Sequence, residues 1–271
     1  MPTIEANGIT LGYTDTGEPP GRPQAQTIVF GHGTLFGGWM FRQQIDALRD
    51  RFRCIAIDWR AHGDTPAPRT GYDMDTLTSD AAALITTLET SPVHWVGLSS
   101  GGFVGQRLAI RHSDLLRSLA LLDTCAIAAS TRVVRRNELQ ASLFRVMGPR
   151  ILRHTIAPLM FSPAYLSRTE GKAAVDEWLD RLGQCSRHGI AQAMRAAMIR
   201  PSVEDELNRI TLPTLVVVGA NDTMTPPPLA RQMANLIPGA QLEEIPGSGH
   251  CSVLEQPTDI TRILEQFFNP S

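Results

Sequence analysis

The segment Gly97-Leu98-Ser99-Ser100-Gly101 sets the tightest limit on how this chain can fold. The apolar run Val93-His94-Trp95-Val96 precedes it, behind a break at Ser91-Pro92, and reads as a buried strand. Residues 102–110 follow it with apolar side chains at helical spacing. Glycine-x-serine-x-glycine between a strand and a helix predicts a sharp turn that lifts a serine hydroxyl clear of the sheet. Such a turn forces Ser99 into an unfavourable backbone conformation, and Cβ atoms at 97 or 101 would collide with their surroundings.

The rest of the chain supplies the frame for that turn. Strand patterns fall at 9–13, 27–30, 54–57, 93–98, 116–122, 213–218 and 241–245, the first of them expected to be antiparallel. A helix is predicted near 41–48. Another covers 258–268, where Ile260, Ile263, Leu264, Phe267 and Phe268 form one apolar stripe. Continuous apolar strands alternating with helices predict an α/β fold with a mostly parallel central sheet flanked by helices.

Between 126 and 200 the strand pattern stops. Helices are predicted over 132–147, 173–182 and 190–199, punctuated by Pro149, Pro158, Pro163 and Gly171. The expected organisation is a core of 1–125, an inserted helical cap of 126–200 over the active-site end of the sheet, and a second core segment of 201–271. Extra packing helices are the alternative. Arg132, Arg135, Arg136, Arg145, Arg150 and Arg153 are expected to form a solvated face, with attraction of anionic substrates as the competing role.

A chain of 271 residues, 42% hydrophobic and 19% charged, can bury one large α/β core without covalent staples. A net charge of -2 gives no general attraction to nucleic acid or anionic membranes, so neither is an expected partner. No basic-then-apolar leader opens the sequence, and no apolar run reaches the roughly 18–20 residues of a membrane span. Cys54, Cys125, Cys185 and Cys251 are scattered without a C-x-x-C pair. That spacing suits a reducing, cytoplasmic setting better than a disulfide framework or a zinc site. The sequence sets no oligomeric state.

A nucleophilic serine needs a base and an orienting carboxylate. His250, in the glycine-rich Pro246-Gly247-Ser248-Gly249-His250 loop after the last strand, is the leading base. His32 and His62, in glycine-flanked loops, read as structural hydrogen bonders, and His94 lies within a strand. Asp222, directly after strand 213–218, is the leading acid, with Asp123 at the end of strand 116–122 as its rival. Asp58 is expected to brace its loop. The oxyanion needs backbone donors. Ser100 supplies one, and the Gly31-His32-Gly33-Thr34-Leu35 loop the other, through Thr34 or, second, Leu35. Leu35 and Cys251 are candidate pocket-wall residues. No histidine pair has metal-ligand spacing, so neither metal nor cofactor is expected.

With these pieces in order, the chain resembles the α/β-hydrolase fold superfamily. The matching stretches are His32-Gly33, Asp58-Trp59-Arg60-Ala61-His62-Gly63, Gly97-Leu98-Ser99-Ser100-Gly101-Gly102, Gly219-Ala220-Asn221-Asp222 and Gly249-His250. The local flavour is similar to small bacterial esterases, enol-lactonases and cofactor-free haloperoxidases or perhydrolases. Ala61 stands where members usually carry glycine. Serine rather than aspartate at 99 sets the chain apart from haloalkane dehalogenases and epoxide hydrolases. The resemblance implies a serine hydrolase acting through an acyl-enzyme on a small to medium, mainly apolar ester or lactone. Alternatives with the same triad are C–C bond hydrolysis of β-diketone or meta-cleavage type and perhydrolysis. A ligand receptor retaining the triad is more remote.

Overall fold

The computed structural model describes residues 2–268; residue 1 and residues 269–271, the outer ends of the two expected core segments, lie outside the described residues. The strands are β1 (Thr3–Ala6), β2 (Ile9–Asp15), β3 (Thr27–Gly31), β4 (Arg53–Ile57), β5 (Val93–Leu98), β6 (Leu116–Leu122), β7 (Thr214–Gly219) and β8 (Gln241–Ile245). They form one sheet in the order β1-β2-β4-β3-β5-β6-β7-β8. β2 is antiparallel to β1 and β4, and every later pairing is parallel.

The apolar strand runs are explained by burial on both faces. Every residue of β3, β5 and β7 is buried, and alternate side chains feed two separate apolar clusters. Ile28, Phe30, Val96 and Leu98 enter one cluster; Val29, Trp95 and Val216 enter the other. The edge strand β8 alternates in exposure instead, as one-sided cover requires.

Helices α1 (Arg42–Leu48), α2 (Met74–Thr87) and α3 (Ser100–Arg111) lie between the strands up to β6. Between β6 and β7 come α4 (Thr131–Met147), α5 (Leu152–Thr155), α6 (Ala157–Met160), α7 (Pro163–Ser167), α8 (Thr169–Gly183) and α9 (Arg187–Met198). α10 (Pro227–Leu236), α11 (Ser252–Glu255) and α12 (Pro257–Phe268) complete the described chain. Serine side chains cap three starts in the long helical stretch: Ser130 accepts from Val133 N–H, Ser162 from Tyr165 N–H and Ser186 from Gly189 N–H. None of the described helices is long and apolar enough to cross a membrane.

Several elements escaped the sequence reading. β1, α2, the short helices α5, α6, α7 and α11, and α10 were not anticipated. Pro226-Pro227-Pro228 reads as a breaker, yet α10 begins at Pro227. The first-turn amides of a helix lack intrahelical partners in any case, so proline there costs no hydrogen bond.

The helices between β6 and β7 pack on core loops. Trp178 Nε1–H of α8 donates to the Leu35 carbonyl at 2.8 Å, and its ring stacks on Phe36 with centroids 5.4 Å apart. Ala61 has φ 67°, a left-handed conformation suited to glycine. Its methyl faces Gly189 of α9, where an added Cβ would stand 2.5 Å from that of Ala61. The glycine expected at 61 has in effect a counterpart on the facing helix.

Candidate active site

The turn after β5 places Ser99 at φ 52° and ψ -109°, a strained conformation for a residue with a Cβ. It is held from both sides. Ser99 N–H donates to the Leu122 carbonyl at 3.0 Å, and Thr124 Oγ1–H donates to the Ser99 carbonyl at 2.9 Å. The two flanking glycines are needed for different reasons. A Cβ on Gly97 would lie 2.2 Å from the Gly101 carbonyl oxygen, whereas one on Gly101 would lie 1.8 Å from that of Gly31 on β3. The first contact crosses the turn; the second is with a neighbouring strand.

His250 and Asp222 meet after β8 and β7. His250 Nδ1–H donates to Asp222 Oδ2 at 2.8 Å. The other bonds of Asp222 hold the carboxylate still: Met224 and Thr225 N–H donate to Oδ1 at 2.7 and 3.0 Å, and Thr225 Oγ1–H donates to Oδ2 at 2.7 Å. Both side chains are buried. Burial alone lowers the His250 pKa, but the charge and hydrogen bond of Asp222, with Asp123 and Glu255 nearby, raise it above the ordinary 6.5. Burial raises the Asp222 pKa, and His250 and the Thr225 bonds more than reverse this, leaving it lowered. With Nδ1 committed to Asp222, Nε2 is the nitrogen left for proton transfer. The Ser99 hydroxyl makes no hydrogen bond among the described residues.

Two more buried carboxylates brace the histidine loop. Asp123 Oδ1 accepts from Gly219 N–H at 2.9 Å, and its Oδ2 accepts from Ser252 N–H and Oγ–H. Burial first, then the neighbouring Asp222 charge, raises the Asp123 pKa. Glu255 Oε1 accepts from Gly249 N–H at 2.9 Å, and Oε2 accepts from Ser162 N–H, at the start of α7, at 3.1 Å. Cys251 N–H adds a bond to the Met160 carbonyl of α6 at 3.0 Å. The sequence offered Asp123 only as a rival acid and did not single out Glu255, whose partner Ser162 lies 93 residues away. Thr225 likewise carries no signal at sequence level.

The loop after β3 separates the roles of its two amides. Leu35 N–H donates to His62 Nε2 at 3.1 Å, while Thr34 N–H donates to Ser100 Oγ at 3.2 Å. The Thr34 and Ser100 hydroxyls are also hydrogen-bonded to each other. His32 and His62 are structural, as expected. Nδ1–H of His32 donates to the Gly33 carbonyl, and its Nε2 accepts from Trp59 N–H. His62 Nδ1–H donates to the Arg60 carbonyl at 3.0 Å. Burial lowers both imidazoles, His62 to about 4, so both are neutral acceptors at Nε2. Asp58 braces its loop by accepting from Gly38 N–H at 2.8 Å and Asp64 N–H at 3.3 Å, and burial pushes its carboxyl up to about 6.

Ser99 borders a cavity of about 40 Å³ walled by Thr34, Leu35 and Ser100 on one side and by residues of α4, α6 and α9 on the other. Leu35 also borders a separate cavity of about 160 Å³ beside Asp58, Trp39 and Trp178. Cys251 is fully buried in the apolar core beside the histidine, and burial raises its thiol pKa.

Residues 28–263 match the model of the alpha/beta hydrolase family, and the chain belongs to that family of enzymes. It is similar to 3-oxoadipate enol-lactonase 2 of Acinetobacter baylyi, with 28% identity over 263 residues covering 97% of this chain and 94% of that protein. The enol-lactonase structure from Burkholderia xenovorans aligns with a TM-score of 0.90 at 29% identity, covering 98% of this chain and 99% of that one. A thermophilic esterase structure from Thermogutta terrifontis aligns with a TM-score of 0.89 at 27% identity, covering 98% and 97%. The protein is a hydrolase.

Proposed function

We propose that this hydrolase cleaves a carboxylic ester or lactone of a small to medium, mainly apolar substrate through an acyl-enzyme on Ser99. The observation that carries the proposal is the buried His250–Asp222 pair at 2.8 Å, on the same carboxyl edge of the sheet as the strained Ser99. In this reading His250 Nε2 takes the Ser99 proton as Oγ attacks the carbonyl carbon. The oxyanion is held by the N–H groups of Ser100 and Thr34. Leu35 N–H is held by the buried His62 ring, whereas the Thr34 N–H partner is the Ser100 hydroxyl, a rotor that can turn away, which favours Thr34. Collapse of the tetrahedral intermediate expels the alkoxide, which receives the proton from His250. Water then attacks the ester of Ser99, again losing its proton to His250, and the carboxylic acid leaves.

The helices of residues 126–200 act, in this proposal, as a cap inserted between core segments 1–125 and 201–271; their contribution to the cavity wall supports that role. A cytoplasmic setting is part of the same reading, supported by four unpaired cysteines.

A panel of p-nitrophenyl esters, lactones and dienols, with fluorophosphonate labelling of the wild type and Ser99→Ala, tests the function. Labelling of the folded wild type at Ser99, lost in the variant and accompanied by ester or lactone turnover, is expected. Absence of labelling in folded wild-type protein would refute the acyl-enzyme.

A further inference from the structure

The cavity beside Ser99 is walled entirely by uncharged residues among those described, and four of them are methionines. Two polar side chains interrupt its helical wall, Asn137 and Gln140, one turn apart on α4. Their amide groups are already oriented. Asn137 Nδ2–H donates to the Met194 carbonyl at 2.9 Å, and Gln140 Nε2–H donates to the Thr155 carbonyl at 3.0 Å. A backbone carbonyl can only accept, so these bonds fix which end of each amide is nitrogen. Among the described residues the two carbonyl oxygens, Asn137 Oδ1 and Gln140 Oε1, have no hydrogen-bond partner and are not fully buried orphans, and each amide nitrogen keeps a second N–H. The helical wall therefore offers neutral hydrogen-bonding groups, two amide oxygens among them, and no cation.

Resting on the ester or lactone reading above, we infer that Asn137 and Gln140 select an uncharged substrate carrying a hydroxyl or amide N–H, and that carboxylate-bearing substrates are rejected. The physical basis is an asymmetry. A hydroxyl or N–H entering the cavity trades its water for an amide oxygen at little net cost. A carboxylate loses its hydration and finds no cation, only neutral donors, to replace it. The methionines, flexible and polarizable, let the apolar part of the substrate vary in shape.

The test compares matched esters: methyl hexanoate, methyl 6-hydroxyhexanoate and monomethyl adipate, together with methyl butanoate, methyl 3-hydroxybutanoate and monomethyl succinate. In at least one series kcat/KM for the hydroxyl ester should exceed that for the methyl-ended ester by roughly 3–10-fold, the value of one hydrogen bond. The carboxylate ester should fall at least about 100-fold below, as an unpaired charge leaving water requires. Gln140→Met should shrink the hydroxyl advantage, and Gln140→Lys should raise the ratio of carboxylate to methyl-ended turnover by about tenfold or more. Should a variant not fold, the wild-type series decides alone. Calorimetric binding of the same esters to Ser99→Ala keeps this inference separate from the catalytic reading. Absence of turnover would then count against the ester hydrolase, while the order of Kd values still judges the wall. A carboxylate ester that is turned over or bound within tenfold of its methyl-ended partner, or no hydroxyl preference in either series, overturns the inference.

Discussion

Asp123 binds Ser252 twice through one oxygen: the Ser252 N–H donates to Oδ2 at 3.1 Å and the Ser252 hydroxyl at 2.5 Å. Its other oxygen accepts from Gly219 N–H, so one buried side chain fastens the end of β7 to the residue two beyond His250. Asp222 touches the imidazole itself, and the two carboxylates should therefore fail differently. Asp222→Asn removes the acceptor that fixes the histidine tautomer and should lower kcat by roughly 10⁴. Asp123→Ala strands three buried donors at roughly 1–3 kcal/mol each and should be read chiefly as lost stability in urea denaturation. Comparable stability losses in the two variants, with comparable activity losses, would contradict this division of labour.

The acid limb of activity should lie above pH 6.5. His250 must be neutral to accept a proton, and its carboxylate neighbours outweigh burial and raise its pKa above the ordinary value. Activity is therefore lost as pH falls through that raised pKa. The linkage to stability has the opposite sign. The contribution of the His250–Asp222 pair from this titration is fully present below the unfolded value near 6.5 and is lost as pH rises through the folded value. A profile of kcat/KM between pH 5 and 9 checks the first statement; a limb at pH 6 or below on a substrate limited by chemistry contradicts it.

Thr34→Ala should be mild, because the donor assigned to the oxyanion is a backbone N–H. Thr34→Pro deletes that N–H and should cost roughly 10²–10³ in kcat. Steady-state kinetics on both variants, with circular dichroism as a check on folding, measures the contrast. A large loss in Thr34→Ala would move the role to the hydroxyl, which is hydrogen-bonded to that of Ser100.

Asp80 anchors the loop that carries His62. Arg60 grips it with two bonds, Nε–H to Oδ2 at 2.7 Å and Nη2–H to Oδ1 at 2.8 Å, and Asn7 Nδ2–H adds a third at 2.7 Å. Asp80 is fully buried. Asp80→Ala leaves the Arg60 charge buried without its carboxylate and should destabilise the fold by about 3–5 kcal/mol in chemical denaturation. A loss under 1 kcal/mol would mean that Arg60 finds water instead.

Glu255→Gln tests the tie between the histidine loop and the start of α7. Glutamine keeps one acceptor oxygen but turns a donor towards either Gly249 N–H or Ser162 N–H. A stability loss of roughly 1–3 kcal/mol is expected from the stranded amide. Removing the charge should also lower the His250 pKa, moving the acid limb of kcat/KM to lower pH. An unshifted limb would limit Glu255 to holding the loop.

What the sequence determined by itself was what local forces control. Strand burial wrote itself as apolar runs, the last helix as a stripe from Ile260 to Phe268, and the turn at Ser99 as two glycines at positions where a Cβ would have no room. Tertiary structure decided everything that depends on which distant groups share a neighbourhood. Asp123 and Asp222 lie 99 positions apart and both end strands, so only the packing of the loops after β7 and β8 settles that Asp222 reaches His250 and Asp123 reaches Ser252. In the same way His62, 27 residues away, claims Leu35 N–H, and Ser100 Oγ, 66 residues from Thr34, takes Thr34 N–H. Local propensity is a property of a few adjacent residues; a hydrogen bond between remote ones exists only once the chain has folded.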